Sequence, residues 1–222
     1  MNEINNLIGE EVLIEISGNT LFNGILIDIG LDLLVLFNGK QFLYIPLTHL
    51  HNMKVNPDPE ITTEAPSLAT IEKNMDTGLA YRKILNNSKG RFLEIFVTGN
   101  RSIHGYITNV MNDYIAFYSP VYKTVMISMQ HLKWFTPYSS QLTPYTLSNE
   151  SLPVVPSTIP CARSFDEQLI KYLGQLVVFD LGDNPEKIGL LKNINNNIVQ
   201  LVSASGATIY WKQYHLKTVH LP

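Results

Sequence analysis

The sequence predicts an all-β protein of three tandem small barrels, each of five short strands, with little helix. Three observations carry this. A block of about fifty residues occurs three times. Each block holds apolar residues at strict period two, and helical spacing is confined to two short stretches. The repeating marks are Gly9, Gly24 and His49; Gly90, Gly105 and His131; Gly174, Gly189 and His215. The two glycines of a block are fifteen residues apart in every copy, whereas the segments between blocks vary, so the block is the unit under constraint.

The elements follow in order. Three residues after the first Gly the alternation begins, as Val12, Ile14, Ile16; Leu93, Ile95, Val97; and Val177, Phe179, Leu181. That spacing puts one face of a first strand against a core. A turn is expected at Gly18-Asn19, Gly99-Asn100 and Gly182-Asp183-Asn184, residue types that accept positive φ or initiate turns. The second Gly leads a second strand with apolar Leu26, Ile107 and Leu191, then Ile29, Val110 and Ile194. Those positions are three apart, which breaks the period and requires a bend or bulge. Asp32, Asp113 and Asn197 mark a tight turn into a third strand with inward pairs Leu34/Leu36, Ile115/Phe117 and Val199/Leu201. The fourth strand carries Leu43/Ile45, Val125/Ile127 and Ile209/Trp211, and after His-Leu a brief fifth carries Met53, Phe135 and Val219. Five such strands describe an Sm/SH3-like barrel that removes most sheet edges by closing on itself.

Helical spacing occurs only from Asp166 to Leu173, capped near Ser164, and near Ala69 to Leu85. The expected organisation is barrel repeat 1 at 1–55, a linker with a short helix at 56–84, barrel repeat 2 at 85–137, a Pro/Ser/Thr-rich linker at 138–164, and a short helix with barrel repeat 3 at 165–222. The linkers read as extended and exposed, either spacers or straps across the barrels. Units of this size have marginal cores alone, so they are expected to pack on one another or to self-associate.

Composition narrows the function. A formal charge of −3 gives no general basic field for nucleic acid, although repeat 1 is acidic and the later repeats lean basic through Arg91, Arg101, Lys133, Lys192, Lys212 and Lys217. Cys161 is the single cysteine, which excludes an intrachain disulfide and a cysteine metal site. No secretory signal and no apolar run of membrane-spanning length are found. Phosphate-cradling loops, nucleophile elbows and zinc-protease helices are missing, so no enzymatic activity, catalytic residue or cofactor is expected. The three histidines could in principle converge on a metal. A hydrogen bond to neighbouring backbone at a strand corner explains their repetition more cheaply, so the nine repeated Gly and His positions are read as structural and no metal is expected.

The closing strand, with His131-Leu132-Lys133 in block two and Tyr210 through Val219 ending His215-Leu216-Lys217 in block three, resembles the N-terminal part of the spore coat protein B family of endospore-forming bacteria. Asn184-Pro185-Glu186-Lys187-Ile188-Gly189 resembles that family's turn before its strand-two Gly, while block one departs with His51 in place of Lys. The family continues into a serine- and basic-rich tail, and here the sequence stops at Pro222. The resemblance implies a non-enzymatic structural or assembly component of the spore coat, made in the mother-cell cytoplasm. It would act by protein-protein interaction with other coat proteins and itself, without membrane or small-molecule substrate. The competing readings are an Sm-like single-stranded RNA-binding protein and a cytoplasmic adaptor. Against RNA, the turn where Sm proteins carry Arg-Gly holds Thr48-His49, Gln130-His131 and Tyr214-His215 instead.

Overall fold

A computed structural model describes residues 3–61, 79–98, 101–138, 144–146 and 160–222. Repeat 1 supplies β1 (Glu11–Ile16), β2 (Thr20–Ile29), β3 (Leu33–Phe37), β4 (Phe42–Pro46) and β5 (Leu50–Val55). Repeat 2 supplies β6 (Phe92–Thr98), β7 (Arg101–Val110), β8 (Tyr114–Ser119), β9 (Lys123–Ser128) and β10 (Trp134–Pro137). Repeat 3 supplies β11 (Leu176–Phe179), β12 (Ile188–Asn195), β13 (Ile198–Val202), β14 (Thr208–Lys212) and β15 (Thr218–His220). Two short helices, α1 (Tyr81–Asn87) and α2 (Phe165–Ile170), precede repeats 2 and 3.

Among the described residues the strands form one antiparallel sheet of fifteen, ordered β14-β13-β12-β11-β15-β9-β8-β7-β6-β10-β4-β3-β2-β1-β5. Within each repeat the order is fifth, first, second, third, fourth. The sequence suggested that each repeat closes its sheet on itself, but among the described residues no fourth strand pairs with the fifth strand of its own repeat. The fourth strand of one repeat pairs instead with the fifth strand of the next.

The alternating residues behave as their spacing requires. Val12, Ile14, Ile16, Leu93, Ile95, Val97, Val177 and Phe179 are all fully buried, as are the inward pairs of the third strands. The second strand bulges at the position where the period breaks, between Leu26 and Asp28, Ile107 and Asn109, and Leu191 and Asn193. Leu181 is the exception. The first strand of repeat 3 ends at Phe179, and Asp180 and Leu181 turn into left-handed backbone at φ 49° and 58°. Ile209 and Trp211 are only half-buried, unlike their counterparts Leu43, Ile45, Val125 and Ile127.

Helix α2 starts from a capping box, in which Ser164 Oγ accepts from Glu167 N–H and the Glu167 carboxylate accepts from Ser164 N–H. Helix α1 begins at Tyr81, and positions 69–78 of the expected run, like the Gly99-Asn100 turn and most of the 138–164 linker, lie outside the described residues. The first linker begins as a strap. Asn56, Glu60 and Ile61 all donate to the buried Glu11 carboxylate, at 2.8 to 3.1 Å.

Candidate functional site

The repeated glycines divide into two kinds. Gly9, Gly90 and Gly174 hold positive φ, at 92°, 74° and 78°, a region that disfavours side chains. Their N–H groups donate to Leu26, Ile107 and Leu191 carbonyls, tying the entry of each repeat to its second strand. Gly24, Gly105 and Gly189 instead permit close approach of the third strand. A Cβ there would fall 2.7 Å from Phe37 O, 2.0 Å from Tyr118 O and 2.5 Å from Val202 O.

The most elaborate constructions are the two junctions between repeats. At the first, Phe135 of β10 lies opposite Tyr44 of β4, with the rings stacked at 5.1 Å. At the second, Thr218, Val219 and His220 face Ile127, Met126 and Val125, and Ser128 N–H donates to Lys217 O at 2.9 Å. Strands three and four of repeats 1 and 2 therefore bury both faces. Leu34 and Leu36 point into the core of repeat 1, while Leu33, Val35 and Tyr44 join Ile84 and Leu85 of α1 in the core of repeat 2. Likewise Tyr114, Ala116 and Met126 join Phe165 and Leu169 of α2 in the core of repeat 3.

Equivalent carboxylates tether the helices. Asp32 Oδ1 accepts from Tyr81 N–H at 2.7 Å, and Asp113 Oδ1 accepts from Phe165 N–H at 2.8 Å. Buried hydroxyls add further bonds, with Tyr81 donating to Met129 O at 3.2 Å and Tyr114 donating to Ala162 O at 2.8 Å. Cys161 is half-buried beside Tyr114.

The histidines each close a 3-10 turn between the fourth and fifth strands, and they sit at these junctions. His131 Nε2 donates to Tyr214 O at 2.8 Å. The acceptor is backbone, but of the next repeat's corner and not its own. His49 is buried, with Nδ1 at 3.2 Å from Ser17 Oγ. Burial, then the positive charges of Lys133, His131 and His51, pull its pKa down to about 4, with the Gln130 backbone opposing. His215 is exposed, its ring edge-on to Tyr214 at 5.6 Å. Among the described residues no group of three or more His, Cys, Asp or Glu is placed to hold a metal.

A cavity of about 670 Å³ lies where repeats 2 and 3 meet, lined by Asp113, Gln130, Asp166, Asn197, Lys212 and Tyr214 among others. Its carboxylates serve the fold. Asp113 holds the start of α2, and Asp166 accepts from Gln213 Nε2. Two buried acids escaped the repeat comparison because neither recurs in all three copies: Glu11 is unique to repeat 1, and the counterparts of Asp180 are Glu15 and Phe96. Glu11 stands where the other repeats have Phe92 and Leu176, and binds the strap. Asp180 accepts from Lys217 and Thr218 N–H and pairs with Lys187. In the sequence the alternation runs on through Leu181, so the turn at Asp180 left no mark in the apolar pattern.

Among the described residues no helix is long and apolar enough to cross a membrane. The family model described as YwrJ third domain matches residues 164–219, the stretch from the α2 cap through Val219 of β15. Over 227 residues, covering 100% of both chains, the sequence is 54% identical to the uncharacterized protein YwrJ of Bacillus subtilis (strain 168). An all-β chain of three repeats, related from end to end to that protein, belongs to the YwrJ family.

Proposed function

We propose that the chain is a non-enzymatic assembly component of the bacterial spore coat, built from three Sm/SH3-like barrels and acting through protein-protein contacts. The observation that carries the reading is what its repeated residues do. The recurrent Gly, Asp and His positions turn backbone, admit neighbouring strands or tie one repeat to the next. The most specific construction is thus repeat-to-repeat docking. Exposed tyrosines on the last repeat, Tyr210 and Tyr214, add surface of the kind enriched in protein interfaces.

The resemblance of the closing strands to the spore coat protein B family supports a place in the coat. A relative from a sporulating bacterium supports it. In this reading the chain is made in the mother-cell cytoplasm and deposited on the forespore, where it meets other coat proteins and further copies of itself. The test is direct detection in coat extracts of purified spores. Its presence in the coat fraction is the expected result, and a chain found only in the mother-cell lysate contradicts the proposal.

A further inference from the structure

Among the described residues the strand order leaves two edges, β14 at one end and β5 at the other. Inside the sheet each fourth strand is covered by the fifth strand of the following repeat, β4 by β10 and β9 by β15. By repeat spacing, β14 is the counterpart of β4 and β9, and β5 is the counterpart of β10 and β15. The two open edges are therefore the two halves of a junction that the molecule already builds twice.

We propose that β14 of one copy pairs antiparallel with β5 of a second copy, joining chains head to tail. This rests on the assembly reading above and names the first partner as the chain itself. The register follows from Phe135 opposite Tyr44 and Val219 opposite Met126. Shifted by the spacing of the corner histidines, it sets Met53 opposite Tyr210, Asn52 opposite Trp211 and Lys54 opposite Ile209. Lys212 N–H stands in the place of Ser128 N–H, which donates to Lys217 O. Its acceptor becomes the His51 carbonyl of the second copy.

Burial shows the same incompleteness on both sides. Tyr44 and Met126 are 2% and 0% exposed within the chain, and their counterpart Tyr210 is 66% exposed. Leu33 and Tyr114 are fully buried, and their counterpart Ile198 is 37% exposed. On the opposite end, Leu85 and Leu169 are fully buried against such faces, whereas Ile4, at the same distance before its Gly, is 42% exposed. The half-open apolar face of repeat 3 and the uncovered residue of repeat 1 are thus the parts that meet at the internal junctions. Lys54 replaces Thr136 and His220, both buried. A lysine on an edge strand opposes pairing, so the contact between copies is weaker than the two inside the chain and forms on concentration. Because the two surfaces differ, the contact is heterologous and propagates from copy to copy into a ring or a filament.

The experiment uses the full chain. Residues opposite in a hydrogen-bonded antiparallel pair lie about 5.5 Å apart at Cα, within disulfide reach. One preparation carries Met53→Cys and another Tyr210→Cys. Mixed and mildly oxidised, they should give a covalent dimer that neither gives alone and that the wild type, with Cys161, does not give. In sedimentation equilibrium the wild type should rise above 25.1 kDa with concentration. Tyr210→Lys, at an exposed position, should remain at monomer mass with an unchanged urea midpoint. A wild type that stays monomeric at its highest soluble concentration overturns the inference, and so does equal cross-linking by one cysteine variant alone. A monomeric chain that is still recovered from spore coats fails this inference and leaves the assembly reading standing on other coat partners. A self-associating chain absent from coats does the reverse.

Discussion

Phe135 stacks on Tyr44 across the first repeat junction, with ring planes 15° apart and the two residues directly opposite in neighbouring strands. The pair sits in a core that also contains α1, so the junction is part of the folding unit of repeat 2 and not a contact between finished domains. Phe135→Ala should therefore cost about 3–5 kcal/mol, as expected for a fully buried aromatic. Urea denaturation should show this as a lower midpoint.

The two classes of repeated glycine should respond differently to a methyl group. Gly105→Ala drives Cβ into Tyr118 O, which is backbone and cannot swing aside, so overpacking of about 1–3 kcal/mol is expected, towards the upper end. Gly90→Ala meets nothing within 4 Å and bears only the strain of positive φ, about 1–2 kcal/mol. Thermal melts of the two variants side by side check the order.

Asp180 is buried in left-handed backbone and answers two N–H groups as well as the Lys187 ammonium, itself largely shielded. Removing the carboxylate strands all three. Asp180→Ala should cost about 3–5 kcal/mol, the range for breaking a buried ion pair from one side. Equilibrium unfolding of the variant, with near-ultraviolet circular dichroism following Trp211 beside Lys187, measures it.

Acid should weaken the fold in two windows. His49 takes its proton near pH 6.5 when unfolded and near 4 when folded, so protons favour the unfolded chain across that interval. Its contribution is complete above 6.5 and drains away as pH falls to 4. Burial lowers His131 and His220 too, which adds to the same loss. Burial pushes the Glu11 carboxyl up, but N–H donors from Ile61 and Glu60 and the amides of Asn56 and Asn23 prevail and hold it at about 2, against 4.5 unfolded. Its contribution is complete above 4.5 and is lost as pH falls through 2. Urea midpoints against pH should flatten in the upper window for His49→Gln and in the lower window for Glu11→Gln.

Strand identity, inward faces and the bulge of the second strand were legible because each depends on local spacing, and three copies made the spacing visible. The strand pairings at the junctions join residues more than eighty apart, as for Val125 and His220, and the helix tethers join residues about fifty apart. Even so, the uninterrupted apolar run from Leu33 to Phe37 carried a signal, since a strand buried on one face alternates and one buried on both does not. Glu11 and Asp180 were hidden for the opposite reason. Neither recurs in all three repeats, Glu11 having Phe92 and Leu176 as counterparts and Asp180 having Glu15 and Phe96, and comparison among repeats reveals only what all of them share.

The most direct test is imaging of a fluorescent fusion of the chain in Bacillus subtilis, replacing YwrJ, through sporulation. A ring around the developing forespore, weakened in Tyr210→Lys, is the predicted result. Diffuse signal throughout the mother cell for the wild-type fusion would contradict the account.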